Sequence, residues 1–286
     1  MSPKQTAGKS KPKHVLPPAN PRVAAIQMSS GPDVDRNLAQ ARELLDEALR
    51  SDPNIVAFPE NMLLFSDRAG DYARHAQTTR GNLITILQEW SAEADIWLLA
   101  GSLPMKAPGR KIYNTSILFS PEGDLHARYD KIHLFDVDVP GDRAYRESDD
   151  VAPGKKSVTA DTPWGKLGLS ICYDIRFPEL FRKHADAGAH TIFIPAAFTA
   201  VTGRAHWDVL TRARAVENQC YVVAPGQTGK PFEGRECHGH SRIVDPWGRT
   251  LAERPAGIGV VMADLDYGAL FDIRAKLPAL THRRLK

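Results

Sequence analysis

A carboxylate, an ammonium and a thiol stand at three places where a folded chain could bring them together: Glu60, Lys131 and Cys172. Cys172 ends the apolar run Lys166-Leu-Gly-Leu-Ser-Ile171 and is followed at once by Tyr173-Asp-Ile-Arg-Phe-Pro-Glu179. A strand that delivers a thiol into a sharp turn before a helix exposes a nucleophile and aims main-chain N–H groups at its target. Glu60 follows Ile55-Val-Ala-Phe-Pro59 and Lys131 follows Arg128-Tyr-Asp130, so both also fall at apparent strand ends, where sites built on sheets gather. Singly, each has a plainer reading: a solvated loop carboxylate, a surface lysine, a small buried hydrophobe.

The elements that must position them follow from periodicity. Val23-Ala-Ala-Ile-Gln-Met28 reads as a buried strand, and residues 35–50 carry Leu38, Ala41, Leu45, Ala48 and Leu49 at helical spacing before Pro53. Ile55-Val-Ala-Phe58 is a second strand; Leu83, Ile86, Leu87 and Trp90 mark a second helix leading to Trp97-Leu-Leu-Ala100. Three Pro-x-Gly turns, Pro121-Glu-Gly123, Pro163-Trp-Gly165 and Pro246-Trp-Gly248, then predict hairpins. Further helices are expected over 178–187 and 205–218, and strands at Thr191-Ile-Phe-Ile194 and Tyr221-Val-Val-Ala224. Strand–helix units mixed with hairpins predict an α/β chain with helices outside and two sheets inside. The stretch 132–157 reads as a long loop of the kind that carries function.

With 286 residues, 42% of them hydrophobic, the chain can bury a large core. Its formal charge of +3 owes much to Lys4, Lys9, Lys11, Lys13 and Arg22, which all precede the first acidic residue, Asp33. The body therefore lacks a basic footprint, which argues against nucleic acid as a partner. No apolar run approaches the ~20 residues that span a bilayer. Three cysteines cannot form a disulfide framework and fit a reducing, cytoplasmic setting. Residues 1–21 read as a flexible Lys- and Pro-rich arm, 22–266 as one catalytic domain, and 267–286 as a C-terminal helix and tail.

Phe58-Pro-Glu60, Tyr129-Asp-Lys-Ile-His133 and Gly168-Leu-Ser-Ile-Cys-Tyr-Asp-Ile-Arg-Phe-Pro-Glu179 resemble, in order and rough spacing, the three signature blocks of the nitrilase superfamily of carbon-nitrogen hydrolases. The resemblance runs from about residue 22 to about residue 280. It is strongest to the Nit amidases, the branch that holds amidases of deaminated glutathione and the omega-amidases. It implies a four-layer α-β-β-α sandwich, no cofactor and no metal, and a catalytic set carried onto Glu60, Lys131 and Cys172. Glu147 matches a second glutamate beside the lysine and the nucleophile, against a plainer reading as a loop carboxylate. Lys131 and the Tyr173 N–H match the oxyanion donors. Arg176, Phe198 and Thr202 match substrate-binding positions, while an ion pair of Arg176 with Asp174 or Glu179, core packing of Phe198 and a helix cap at Thr202 stay open. The family also implies a homodimer formed through the helices expected after the nucleophile.

The implied reaction suits these side chains. A free thiol titrates near ~8.5, so the attacking thiolate needs help from a nearby cation or base. Amide nitrogen leaves well only when protonated, which suits a carboxylate that is base first and acid second. The expected activity is hydrolysis of a small carboxylate-bearing 2-oxo amide of the deaminated glutathione kind to acid and ammonia through a thioester. The alternatives are an omega-amidase acting on 2-oxoglutaramate or 2-oxosuccinamate, and an interaction protein that keeps the fold without the chemistry. Cys237-His238-Gly239-His240 lacks further ligands at metal-site spacing, and no Gly-rich phosphate loop is present. A Cys-His hydrolase using His133 or His206 is the remaining nucleophilic alternative.

Overall fold

Val23-Ala-Ala-Ile26 is apolar at every position and fully buried, as a strand covered on both faces must be. Alternate side chains lead to different places. Ala24 and Ile26 join Val56, Leu98 and Ile117 under the helices Val34–Leu49 and Asn82–Ala94, meeting Ala41, Leu45, Ile84 and Leu87. Val23 and Ala25 join Ile55, Ala57, Leu99 and Leu118 on the other face, in the cluster that also holds Leu167, Leu169, Ile192 and Val222. The two-residue period of the strand thus separates a helix-facing layer from a layer between sheets.

The computed structural model describes residues 20–285. The first sheet has the order Gly259–Asp264, Arg22–Gln27, Ile55–Ala57, Trp97–Lys106, Ile112–Phe119, Leu125–Asp130. The second has the order Thr250–Arg254, Ser241–Val244, Tyr221–Ala224, Ala189–Phe193, Gly165–Leu169, Val158–Thr162. Three parallel strands form the middle of each, and antiparallel strands complete both sides. Helices Pro178–Asp186 and Ala200–Asn218 cover the second sheet, completing the four-layer α-β-β-α sandwich. All three Pro-x-Gly turns join antiparallel strands as expected.

This topology brings the chemistry to one end. Glu60 follows the parallel strand Ile55–Ala57, and Cys172 follows the parallel strand Gly165–Leu169. Leu125–Asp130 is antiparallel to an antiparallel neighbour of the central strands, so it runs with them and delivers Lys131 to the same rim. Two glycines allow the backbone to close there. A Cβ on Gly101 would lie 2.1 Å from the carbonyl oxygens of Phe58 and Pro59, and one on Gly154 would lie 1.9 Å from that of Asp130.

Three segments differ from the sequence reading. The helix expected over 205–218 begins at Ala200, because Thr199 caps it by accepting from Thr202 N–H at 3.2 Å and Gly203 lets it press against His238. Within the loop 132–157 lie a small ribbon, Asp136–Val137 with Tyr145–Arg146, and a 3₁₀ turn at Glu147–Asp149. The segment read as a loop after Pro225 is a hairpin, Thr228–Phe232 with Arg235–His238. Its strands hide from periodicity because their register shifts and Gly and Pro interrupt them. Tyr267 and Leu270 of the C-terminal helix Tyr267–Lys276 are buried in the inter-sheet cluster. The expected Lys- and Pro-rich arm lies, but for its last two residues, outside the described residues.

Candidate active site

Cys172 stands at φ +47°, a left-handed conformation that an L-residue rarely adopts, at the start of the 3₁₀ turn Cys172–Arg176. Its N–H is engaged by the Pro195 carbonyl at 2.8 Å. Asp174 fixes the turn from below. Fully buried, it accepts from Ile171 N–H at 2.8 Å, Tyr129 Oη at 2.7 Å, and the His133 main-chain N–H at 3.1 Å and ring Nδ1 at 2.7 Å. The carboxylate therefore ties the Cys172 turn to the segment that carries Lys131.

Lys131 and Glu60 are 2% and 3% exposed, and charges that deep are tolerated only when paired and hydrogen-bonded. They are. The Lys131 Nζ donates to Glu60 Oε1 at 2.8 Å and to both oxygens of Glu147, at 3.1 and 2.8 Å. Glu60 Oε2 accepts from Ala197 N–H at 2.9 Å, and Glu147 Oε2 from Phe135 N–H at 2.6 Å. Asn114 Nδ2 bridges the two carboxylates at 3.1 Å each. Gln227 holds the Glu60 main chain by donating to its carbonyl at 2.9 Å.

Burial alone would raise the Glu60 pKa, but the Lys131 charge and hydrogen bonds from Lys131, the Cys172 thiol and Ala197 N–H hold it below the usual carboxylate range. Burial likewise works against the Lys131 ammonium and is outweighed by Glu147 and then Glu60, so Lys131 stays charged well above its ordinary range. For Cys172, burial and the Glu60 charge push the thiol well up, more than Lys131 pulls it down. The ammonium is shared between two carboxylates, so it does not hold the sulfur as a resting thiolate. Burial and the Glu60 carboxylate thus favour the protonated thiol.

These groups open into a cavity of about 230 Å³ lined by Glu60, Lys131, Glu147, Cys172, Tyr173 and Phe198, with Thr202 and an aromatic wall of Phe65, Tyr145 and Phe232. Phe198 is in ring contact with Trp207 at 4.9 Å, and Thr202 lies in the capped first turn, so the packing and capping readings hold while both side chains also line the cavity. Arg176 lies just outside this lining. Its guanidinium stands over the Phe198 and Tyr173 rings at 5.3 and 5.8 Å and donates to His206 Nδ1 at 3.3 Å, while Asp174 is engaged elsewhere. His133 stacks on Phe177 at 3.7 Å against Asp174, and neither it nor His206 lines the cavity, so a Cys-His pairing has no geometric support. Among the described residues no cluster of His, Cys, Asp and Glu could hold a metal ion, and no helix is long and apolar enough to cross a membrane.

Sequence reasoning missed Asn114, Tyr145 and Arg235. Asn114 shares the strand Ile112–Phe119 with two other buried polar residues, Thr115 and Ser116, so its type alone did not single it out.

Comparison with known proteins agrees with this geometry. Residues 22–275 match the carbon-nitrogen hydrolase family. The chain is 43% identical over 264 residues to a deaminated glutathione amidase of Synechocystis, covering 91% of this chain and 97% of that one. It is 38% identical to the mouse omega-amidase NIT2 over 92% of this chain and 95% of that one. Among solved structures, Saccharomyces cerevisiae Nit3, a member of branch 10 of the nitrilase superfamily, aligns at TM-score 0.86 and 33% identity over 97% of this chain and all of Nit3. The Caenorhabditis elegans NitFhit protein also aligns at 0.86, with 36% identity over 93% of this chain and 65% of that longer one. Two stacked sheets, a shared rim and a buried thiol–carboxylate–ammonium set are thus found in a chain that belongs to the carbon-nitrogen hydrolase family of the nitrilase superfamily.

Proposed function

We propose that the protein is an amidase that hydrolyses a small carboxylate-bearing 2-oxo amide, of the kind that deaminated glutathione represents, through a thioester on Cys172. The observation that carries this reading is the Lys131 ammonium buried between Glu60 and Glu147 beside the Cys172 thiol. An ammonium has three protons. They meet three carboxylate oxygens, and the longer contact, to Glu147 Oε1 at 3.1 Å, is the one that a substrate oxygen would displace.

In the proposed sequence Glu60 takes the thiol proton as sulfur attacks the carbonyl carbon. Lys131 and the Tyr173 N–H stabilise the oxyanion, an effect worth about 3 kcal/mol or more per donor. Protonated Glu60 then hands its proton to the departing nitrogen, which leaves as ammonia from a primary amide and as an amine from an N-substituted one. Water attacks the thioester with Glu60 again as base, releasing the acid and restoring the thiol. Arg176, Phe198 and Thr202 are the proposed substrate contacts.

Glu147 is assigned a positioning role on Lys131. Glu147→Gln keeps the shape but removes the carboxylate with the larger stabilising effect on the ammonium. We expect kcat to fall about tenfold to a hundredfold, the cost of misplacing a catalytic group. The Lys131 pKa falls with it, so the alkaline limb of the pH–rate profile moves to lower pH. A loss of kcat with that limb unmoved would refute the assignment.

Val209 and Val216 on the helix Ala200–Asn218 and the neighbouring Trp247 are 57%, 48% and 54% exposed, which favours pairing of two copies through this face. Three unpaired cysteines favour a cytoplasmic setting. The reaction is tested by supplying purified protein with 2-oxoglutaramate and with an N-substituted amide of the same acid. Release of 2-oxoglutarate is expected, and folded protein that releases none from either would overturn the reading.

A further inference from the structure

Asn114 is 7% exposed, lines the cavity and reaches Lys131, Glu60 and Glu147 at once. Its carbonyl accepts the Lys131 main-chain N–H at 2.9 Å, and its Nδ2 donates to Glu60 Oε1 and Glu147 Oε1. Its own Oδ1 is buried and has no partner among the described residues. The two carboxylates dictate that orientation, because a reversed amide would set one acceptor against two others. A buried polar atom left unsatisfied calls for an explanation, and here the side chain serves the carboxylates rather than its own hydrogen bonding. When a substrate oxygen displaces Glu147 Oε1 from Lys131, Asn114 remains as a donor to that oxygen.

The two oxygens of Glu60 are held differently. Oε1 accepts from Lys131 at 2.8 Å and from Asn114 at 3.1 Å, whereas Oε2 accepts from Ala197 N–H at 2.9 Å. The same N–H bears on the Cys172 sulfur, so Oε2 is the oxygen on the sulfur side. Arg235 seats that peptide from its other edge by donating to the Ala197 carbonyl. A carboxylate oxygen offers two lone pairs, and with both engaged by donors Oε1 has none free for a proton. Oε2 keeps one. We propose that Asn114 is a positioning residue that decides which oxygen of Glu60 carries the proton in transit, holding Oε1 as an acceptor so that the proton sits on Oε2. This rests on the reading of Glu60 as base and then acid, and deepens it. As the S–H bond breaks, an O–H bond forms at Oε2 while sulfur bonds to the carbonyl carbon and the carbonyl electron pair moves to oxygen. On collapse the Oε2 proton passes to nitrogen as the C–N bond breaks. A proton on Oε1 would instead face the Lys131 ammonium, turned away from the sulfur and the nitrogen beside it.

Two substrates of one acid separate this role from a structural one: 2-oxoglutaramate, whose nitrogen leaves well only with a proton, and the γ-p-nitrophenyl ester of 2-oxoglutarate, whose phenolate leaves without one. Both give the same acyl-enzyme, so kcat/KM reports binding and acylation alone. Asn114→Leu nearly keeps the volume and frees Oε1. It should lower kcat/KM about tenfold to a hundredfold for the amide and less than about threefold for the ester. Asn114→Asp keeps the shape but, once ionised, cannot donate, and it should shift the amide-to-ester ratio in the same direction. Loss of a donor to ionised Glu60 also raises its pKa, so the acid limb of kcat/KM for the amide moves to higher pH in Asn114→Leu and further in Asn114→Asp, where a like charge is added. A merely structural Asn114 would lower amide and ester together and leave the limb in place. That result in either variant overturns the inference, so one folded variant is enough to decide it. Unmodified protein that releases no 2-oxoglutarate from the primary amide removes the amidase reading, and this inference with it.

Discussion

Cys172→Ala should lower amide turnover by about a thousandfold or more, because the covalent route is lost outright and the oxyanion donors alone remain. The substitution is a clean one. Cys172 is 7% exposed and its side-chain hydrogen bond is to Glu60, so alanine removes one buried sulfur and leaves the turn held by Asp174 in place. The left-handed backbone at φ +47° strains cysteine and alanine alike. Acid-quenched protein should carry the mass of the acyl group when Cys172 is present and none when it is absent. Turnover within tenfold of the unmodified protein would remove Cys172 from the chemistry.

Glu60→Gln should cost about a hundredfold to ten-thousandfold in kcat, the range of a lost general acid–base. It should also separate two properties of the thiol. The Glu60 charge is one of the causes that raise the Cys172 pKa, and glutamine removes that charge while Lys131 remains. Cys172 in the variant therefore ionises at lower pH, and its alkylation by iodoacetamide should begin at lower pH even as amide cleavage fails. A sulfur that is more ionised yet less productive places the loss in proton transfer. Parallel loss of alkylation and turnover would point to a collapsed site instead. In the unmodified protein the lowered Glu60 pKa keeps the base ionised below the usual carboxylate range. The stability linked to its ionisation is complete above the ordinary carboxylate value and is lost as pH falls through the lowered one, so the acid limb of kcat/KM should lie below that range.

Much of this site was legible because Glu60 and Cys172 sit just after short apolar runs that read as buried strands, and Lys131 follows the partly exposed strand that a Pro-x-Gly turn announces. The hairpins were legible for a local reason too, since a Pro-x-Gly turn announces itself within four residues. What stayed hidden depends on contacts distant in sequence. Asn114 matters because pairing of Ile112–Phe119 with Trp97–Lys106 places it between Glu60 and Glu147, which are 54 and 33 residues away. Nothing near Asn114 encodes that. Arg235 lies in a hairpin interrupted by Gly and Pro, where alternation gives no guide to which side chains turn inward. The early start of the helix Ala200–Asn218 runs against the low propensity of Gly203, and packing on His238 supplies the reason.

Glu60 and Lys131 come from one sheet and Cys172 from the other, and the two sheets meet largely through apolar side chains. Neither half therefore contains a working centre, and the catalytic set exists only where the two halves are docked. A slip of an ångström between them would leave the pairing within each sheet intact while the proton lost its path from sulfur to oxygen. Catalytic rate is in this molecule a gauge of how the halves are seated, and mild heat or denaturant should silence it before the secondary structure melts.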